Sequence, residues 1–367
     1  MEHKQTERLE YIDIFRGFPL LVMITIQIFD YLSTSSIYTT PPYYVDAINS
    51  VTWIPPSLLF AFVSGMSVFL LMQKLSLNNQ SKRSVLSGVI KRYGIYIVIS
   101  FPFTIVMWNM ATYFAWEEVI QGIGLSAIIT AIFLIMLPKI KYIYIITAIV
   151  SMAFLQSYLL NVIRISDISY TYPFFIEFDN SITITTFAIS VLLNIFIRGW
   201  FSVVNIFPLM LGGLLFFLLI KEKRTFIYSL ALGAIPLIIS VILHLNGYPI
   251  DYYNRSFSFT FFAIGESAII CSLLYFIYKK INWNFLLKPL LVFGRASILI
   301  YLGHYLLILK VLEITGIKDT LSDPVAWLIT LPLVGIVYYC AEFYLKRRKA
   351  NFTRLDDAQN TDLKSNN

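Results

Sequence analysis

At 367 residues, 58% hydrophobic and only 13% charged, the chain lies far from soluble domains, in which about 25% of residues are charged. That excludes a soluble enzyme and leaves a polytopic membrane protein with little sequence for a separate aqueous domain. The net charge of +7 does not point to nucleic acid, because the basic residues cluster in short loops with no aromatic interleaving.

A bilayer core needs about 20 apolar residues per helix. By that measure, spans are expected at 12–32, 53–73, 93–110, 119–137, 141–160, 202–220, 225–244, 257–278, 289–309 and 325–345. Residues 1–11 form a short N-terminal tail. The first run is too long for the core of a signal peptide and no small-x-small cleavage site follows, so a signal anchor is expected. An eleventh candidate, 181–197, is shorter and is flanked by Asp179 and Arg198. Lys74, Lys82, Arg83, Lys91 and Arg92 follow the second span, Lys139 and Lys141 the fourth, Lys221, Lys223 and Arg224 the sixth, and Lys279, Lys280 and Lys288 the eighth. The positive-inside rule is satisfied throughout only if 181–197 does not cross. The expected fold is therefore an all-α bundle of about ten transmembrane helices, with 181–197 interfacial or re-entrant on the outer side. Both termini are expected to be cytoplasmic in a multi-pass protein of the cell membrane. The domain of 12–345 is followed by a polar tail, 346–367, expected to be disordered. Cys271 and Cys340 both lie in apolar runs, so no disulfide framework is indicated.

Polar groups inside lipid ask for a partner or a task. With Arg16 set at zero and ~100° per residue, Asp13 falls near ~60°, Gln27 near ~20° and Asp30 near ~−40°. The four share one stripe, and Asp13 and Arg16 are spaced to pair. Glu266 lies mid-way along the eighth span, with Arg16 and Arg295 as candidate cations by depth. On the ninth span Ser297, Tyr301 and His304 share a face, while Arg295 points to the opposite side. A lone membrane histidine serves either catalysis or interhelical hydrogen bonding. Glu117, Glu118 and Gln121 come to the outer boundary of the fourth span, and Pro208 with Gly212 and Gly213 suggests a kink with tight helix contacts. The outer loop 34–50, rich in Ser, Thr, Tyr and Pro, is either a binding mouth or an ordinary connection. No metal-ligand spacing, phosphate loop or nucleophile elbow is present.

The opening "RLEYIDIFRGFPLLVMITIQIFDYL" (8–32) resembles the start of the heparan-alpha-glucosaminide N-acetyltransferase catalytic-domain family and its prokaryotic relatives, with Arg8, Asp13, Arg16, Gly17, Met23 and Asp30 in the shared places. "FVSGMSVFL" (62–70), "EEVIQGIGL" (117–125), "NIFPLMLGG" (205–213) and "FGRASILIYLGHYLLI" (293–308) are similar to later stretches of that transmembrane acyltransferase group, so the resemblance runs from about 8 to 310. It implies transfer of an acyl group, acetyl from acetyl-CoA in the family's animal enzyme, to an acceptor through or within the membrane. The family's outer-loop histidine has no counterpart in 34–52, Gln27 stands where relatives often hold histidine, and Gly122 stands in place of an arginine. The base that such a mechanism needs would then be His304, Asp30 or Glu266.

The leading reading is an acyltransferase using acetyl-CoA or another acyl-CoA as co-substrate, with no metal. Its catalytic set would be His304, Asp30, Glu266 and Tyr301, with Asp30 or Tyr301 orienting the imidazole. Asp13, Arg16, Gln27, Gln121 and Arg295 would bind the acyl-CoA or the acceptor. The partners expected are the bilayer and a small-molecule, glycan or lipid acceptor at the outer side, with a homo-oligomer left open. The alternative is a transporter or flippase using the same polar interior, or a catalytically inactive relative.

Overall fold

Backbone groups in lipid must satisfy one another within a segment, so bilayer-length apolar runs become helices. The computed structural model describes residues 9–34, 56–77, 80–108, 113–114, 119–137, 139–165, 176–177, 183–199, 201–221, 226–251, 256–280 and 284–365. Among them ten helical runs are long and apolar enough to cross a membrane, as the hydropathy pattern leads one to expect. The protein is an all-α, multi-pass membrane protein. Its only strands among the described residues are two-residue pieces, β1 (Tyr113–Phe114) and β2 (Ile176–Glu177), paired antiparallel. The loop 34–50 beyond Thr34, and Glu117 and Glu118, lie outside the described residues.

The chain divides into two compact units. The second unit is residues 9–43 and 282–367. Helix α1 (Glu10–Leu32) belongs to it, and in sequence the helices of the first unit come between α1 and its remaining helices.

The first unit, which contains residues 44–281, holds α2 (Pro56–Ser76), α3 (Lys82–Trp108), α4 (Val119–Met136), α5 (Tyr142–Ile165), α6 (Ile184–Leu193), α7 (Val203–Lys221), α8 (Phe226–Leu245) and α9 (Phe257–Lys280). Its centre is α7, nearly all of which is buried, lying against α2, α4, α5 and α9. Glycine makes the closest of these packings. A Cβ at Gly65 would fall 1.9 Å from the Met210 carbonyl oxygen, and one at Gly213 would fall 1.8 Å from that of Phe62. Helices α2 and α7 therefore touch backbone to backbone, as the glycine pair in "NIFPLMLGG" suggests. Helix α3 begins at Lys82, earlier than the span at 93–110, so Lys82, Arg83, Lys91 and Arg92 stand exposed on its first turns rather than in a loop. Long basic side chains can reach water from there while the helix enters lipid.

The segment at 181–197 is helical from Ile184 and continues as a π-helical turn, Asn194–Arg198, before the chain breaks at Gly199 and restarts as α7. The whole run Ile184–Lys221 has 38 residues. As one rod it would be ~57 Å long, nearly twice the ~30 Å hydrocarbon core. The break divides it into one spanning helix and the extra segment.

The second unit contains α1, α10 (Asn284–Arg295), α11 (Ser297–His304), a π-helical turn (Tyr305–Leu309), α12 (Lys310–Ile314) and α13 (Asp323–Ser365). The ninth span differs from the expected 289–309. Ala296, with φ −107° and ψ 21°, interrupts it, so the crossing run is Ser297–Ile314 and Arg295 ends a separate helix. Leu291–Phe293 before Arg295 and Ile298–Ile300 after Ser297 keep the average apolar and hide this break from a hydropathy window. Helix α13 continues to Ser365 through the polar tail, where composition leads one to expect disorder. Extending a helix already nucleated costs far less than starting one.

Candidate functional site

Polar side chains of the second unit gather at three levels along α1. At its start, Arg16 Nη1 lies 3.3 Å from Asp13 Oδ1, the pair that the i,i+3 spacing foretells. From α10, Arg295 Nη2 lies 2.7 Å from Glu10 Oε1, and its Nε lies 3.6 Å from Asp13 Oδ2. Asp13 is buried and both guanidinium groups face it. Two glycines let α1 and α10 approach closely enough for this. A Cβ at Gly17 would meet the Leu290 carbonyl oxygen at 1.8 Å, and one at Gly294 would meet that of Asp13 at the same distance. Two acids and two bases thus meet here among the described residues, whereas Glu266 belongs to the first unit.

Further along α1, Gln27 meets His304, which is 1% exposed at the end of α11. His304 Nε2 lies 2.8 Å from the Oε1 position of Gln27, and the Nε2 position of that amide lies 2.5 Å from the Tyr305 hydroxyl. His304 Nδ1 lies 3.0 Å from the Ile300 carbonyl oxygen. A carbonyl can only accept, so Nδ1 carries the hydrogen, and in the neutral ring Nε2 is a bare acceptor. Gln27 must then turn its NH2 to the imidazole and its oxygen to the phenol, an exchange of two atoms of nearly equal size. The resulting chain is complete: Tyr305 donates to Gln27, Gln27 to His304, and His304 to Ile300.

Tyr301 packs edge-on against His304 with ring centroids 5.8 Å apart and also contacts Tyr305, at 5.5 Å. The shared face of Tyr301 and His304 is thus real, but both imidazole nitrogens go to Gln27 and Ile300, and neither the Tyr301 hydroxyl nor the Asp30 carboxylate orients the ring. Asp30 is half-buried one turn beyond Gln27. The π-helical turn begins at Tyr305, directly after His304. Such turns widen a helix and recur where side chains are re-aimed at functional sites.

At the far end of α1 the chain after α12 closes over the helix. Asp319 N–H donates to the Tyr31 carbonyl at 3.0 Å, Leu321 N–H to that of Leu32 at 2.9 Å, and Thr34 N–H to that of Leu321 at 2.9 Å. These donors satisfy carbonyls that a helix end leaves open. Ser33 Oγ donates to Asp323 at the start of α13, and Phe29 stacks on Trp327 with centroids 4.5 Å apart.

The structure therefore brings together Asp13, Arg16 and Arg295 in one cluster and Gln27, Tyr301 and His304 in another. Gln121, fully buried in the first turn of α4, and Glu266, on α9, belong to the first unit. Glu10 and Tyr305 were not legible as site residues, because each takes its role from a partner about 280 positions away.

The spanning helices and this buried polar seam define a multi-pass membrane protein with titratable chemistry inside its bundle. Residues 8–181 match the family described as heparan-alpha-glucosaminide N-acetyltransferase, catalytic. This stretch, just under half of the chain, is similar to that family. It includes Asp13, Arg16, Gln27, Asp30 and Gln121, whereas Glu266, Arg295, Tyr301 and His304 lie beyond it. No curated protein matches the sequence.

Proposed function

We propose that this membrane acetyltransferase-like protein moves an acyl group, acetyl being the simplest, from an acyl-CoA to an amine or hydroxyl acceptor. The acceptor would be a sugar or lipid headgroup at the outer side. The observation that carries this reading is the His304 imidazole, whose tautomer is set by Ile300 and whose basic nitrogen faces Gln27. An acceptor O–H or N–H that displaced the Gln27 amide would find Nε2 ready to take its proton as oxygen or nitrogen attacks the acyl carbonyl. The thiolate of CoA leaves, and the imidazolium returns the proton. Tyr305 and Tyr301 would hold the ring and shape the space around it. Arg16 and Arg295 already meet Glu10 and Asp13, so a donor phosphate would have to compete with those carboxylates for them.

The test incubates the purified protein with radiolabelled acetyl-CoA and membrane extracts, and follows both CoA release and label transfer. Release that depends on both extract and His304 supports the reading. No turnover with any extract, together with solute counterflow in liposomes, would replace it with a transporter.

A further inference from the structure

Glu266 takes no part in the site described above. It is the tenth residue of the 24-residue helix α9, so about 14 Å of helix precede it and about 21 Å follow. Both ends of its helix lie at the boundaries of a spanning run, which puts the carboxyl deep in the bilayer. Its Oε2 is enclosed by protein and has no hydrogen-bond partner among the described residues.

Among the described residues of the helices packed against α9, no cation stands at that level. Helix α9 packs against α8, α7, α2 and α5. Helix α8 carries Tyr228 and His244 near its two ends, and the His244 ring accepts from the Ile250 N–H. Helix α7 carries Lys221 as its last residue, α2 carries Lys74 in its last turn, and α5 carries Tyr142, Tyr144, Tyr158 and, next to its end, Arg164. On α9 itself the remaining titratable groups are Cys271, Tyr275, Tyr278, Lys279 and Lys280, the two lysines closing the helix. A close contact also seals one flank. A Cβ on Gly233 of α8 would fall 2.9 Å from the Gly265 carbonyl oxygen, so no chain of water separates these helices beside Glu266. Toward the end of the helix the packing loosens: Glu266 itself and Ile270, one turn on, are half-buried. Leu273, two turns on and in line with Glu266, is 48% exposed, and that face of a spanning helix meets lipid.

We infer that Glu266 is an intramembrane proton-binding site, a carboxylic acid that carries its proton in the resting protein and borders the lipid. An ionised carboxylate would need a cation or several donors here, and the surroundings supply neither. The inference does not depend on acyl transfer.

A neutral acid beside lipid reacts with a hydrophobic carbodiimide. The acid proton passes to one carbodiimide nitrogen, and the carboxyl oxygen bonds to the central carbon to give an O-acylisourea. The acyl group then shifts from oxygen to nitrogen as a stable N-acylurea, with nothing leaving. The experiment treats the purified full chain in lipid nanodiscs with N,N′-dicyclohexylcarbodiimide across a pH series and maps adducts by peptide mass spectrometry. One adduct at Glu266 is expected, absent from Glu266→Gln, falling as the medium is made alkaline and not reproduced by a water-soluble carbodiimide. Mapping on the unsubstituted protein keeps the result decisive even if that variant does not fold. No adduct on Glu266 at any pH, or equal labelling by the water-soluble reagent, overturns the inference.

Discussion

Gln27 and His304 stand 277 positions apart in sequence, yet the amide of one and the imidazole of the other are in hydrogen-bond contact at 2.8 Å. The contact joins α1 to α11 and determines what the imidazole presents. Its basic nitrogen is covered by a neutral amide that can be exchanged for a substrate, and not by a carboxylate that would hold it.

The two residues should therefore separate in kinetics. His304→Ala is expected to lower CoA release by about 10²–10⁴-fold, the usual worth of a positioned general base. Gln27→Ala removes only a group that substrate must displace, and its rate is expected to stay within about tenfold of the parent. Parallel rates for the two variants would remove His304 from the chemistry.

Tyr305→Phe tests the contact between Tyr305 and Gln27. Whichever way the amide is turned, it loses its partner at the phenol, at a cost of about 1–3 kcal/mol in stability. Combining Tyr305→Phe with Gln27→Leu removes both members, and the melting temperature is expected to recover part of the loss.

Arg16 and Arg295 share Asp13, so their removals should not add. Arg16→Met or Arg295→Met leaves one guanidinium for the buried carboxylate, whereas the double variant leaves none. A double-mutant cycle read by thermal melting is expected to show about 0.5–3 kcal/mol of coupling. Zero coupling would mean that the two bases act on Asp13 independently.

Glycines of the second unit divide sharply. Gly294→Ala would drive a methyl into the Asp13 backbone at 1.8 Å and is expected to prevent α10 from seating. Gly303→Ala meets nothing within 4 Å and should stabilise α11 by about 0.5–1 kcal/mol through helix propensity. Detergent-solubilised melting curves distinguish the two.

Labelling from the two sides of sealed vesicles checks the extra segment. Ser190 is fully buried and unsuited to the purpose, while Ile184 is 86% exposed. A cysteine at Ile184 in a chain lacking its native cysteines is expected to react with an impermeant maleimide from the outer side. Reaction only from the inner side would reverse the topology drawn from the basic loops.

The spans were legible because lipid imposes one rule on every residue of a run, and a window of hydropathy averages that rule. The Asp13–Arg16 pair was legible for the same local reason, since three residues of helix bring two side chains to one face. Partners on other helices were not. Arg295 looked like part of the ninth span facing away from its polar residues, but the Ala296 break gave it a helix of its own and turned it to Glu10. The sequence offers Asp30 or Tyr301 to orient His304, yet the ring nitrogens meet the Gln27 amide and the Ile300 carbonyl. A helical wheel gives the direction in which a residue points and carries no information about what stands opposite.

Helix α1 leaves the ribosome before any of the helices that hold it. Its ion pairs to Arg295, its amide contact and the strap over its last carbonyls come from residues 284–323, which are made only after the helices of the first unit. Synthesis proceeds from the N-terminus, so the polar stripe must wait in the membrane for nearly the length of the chain. Only the late helices end that wait, and a chain halted after Lys280 would have an inserted first helix with no site built on it. Quality control that watches for unpaired charge within the bilayer would read α1 as unfinished until the last span is in place.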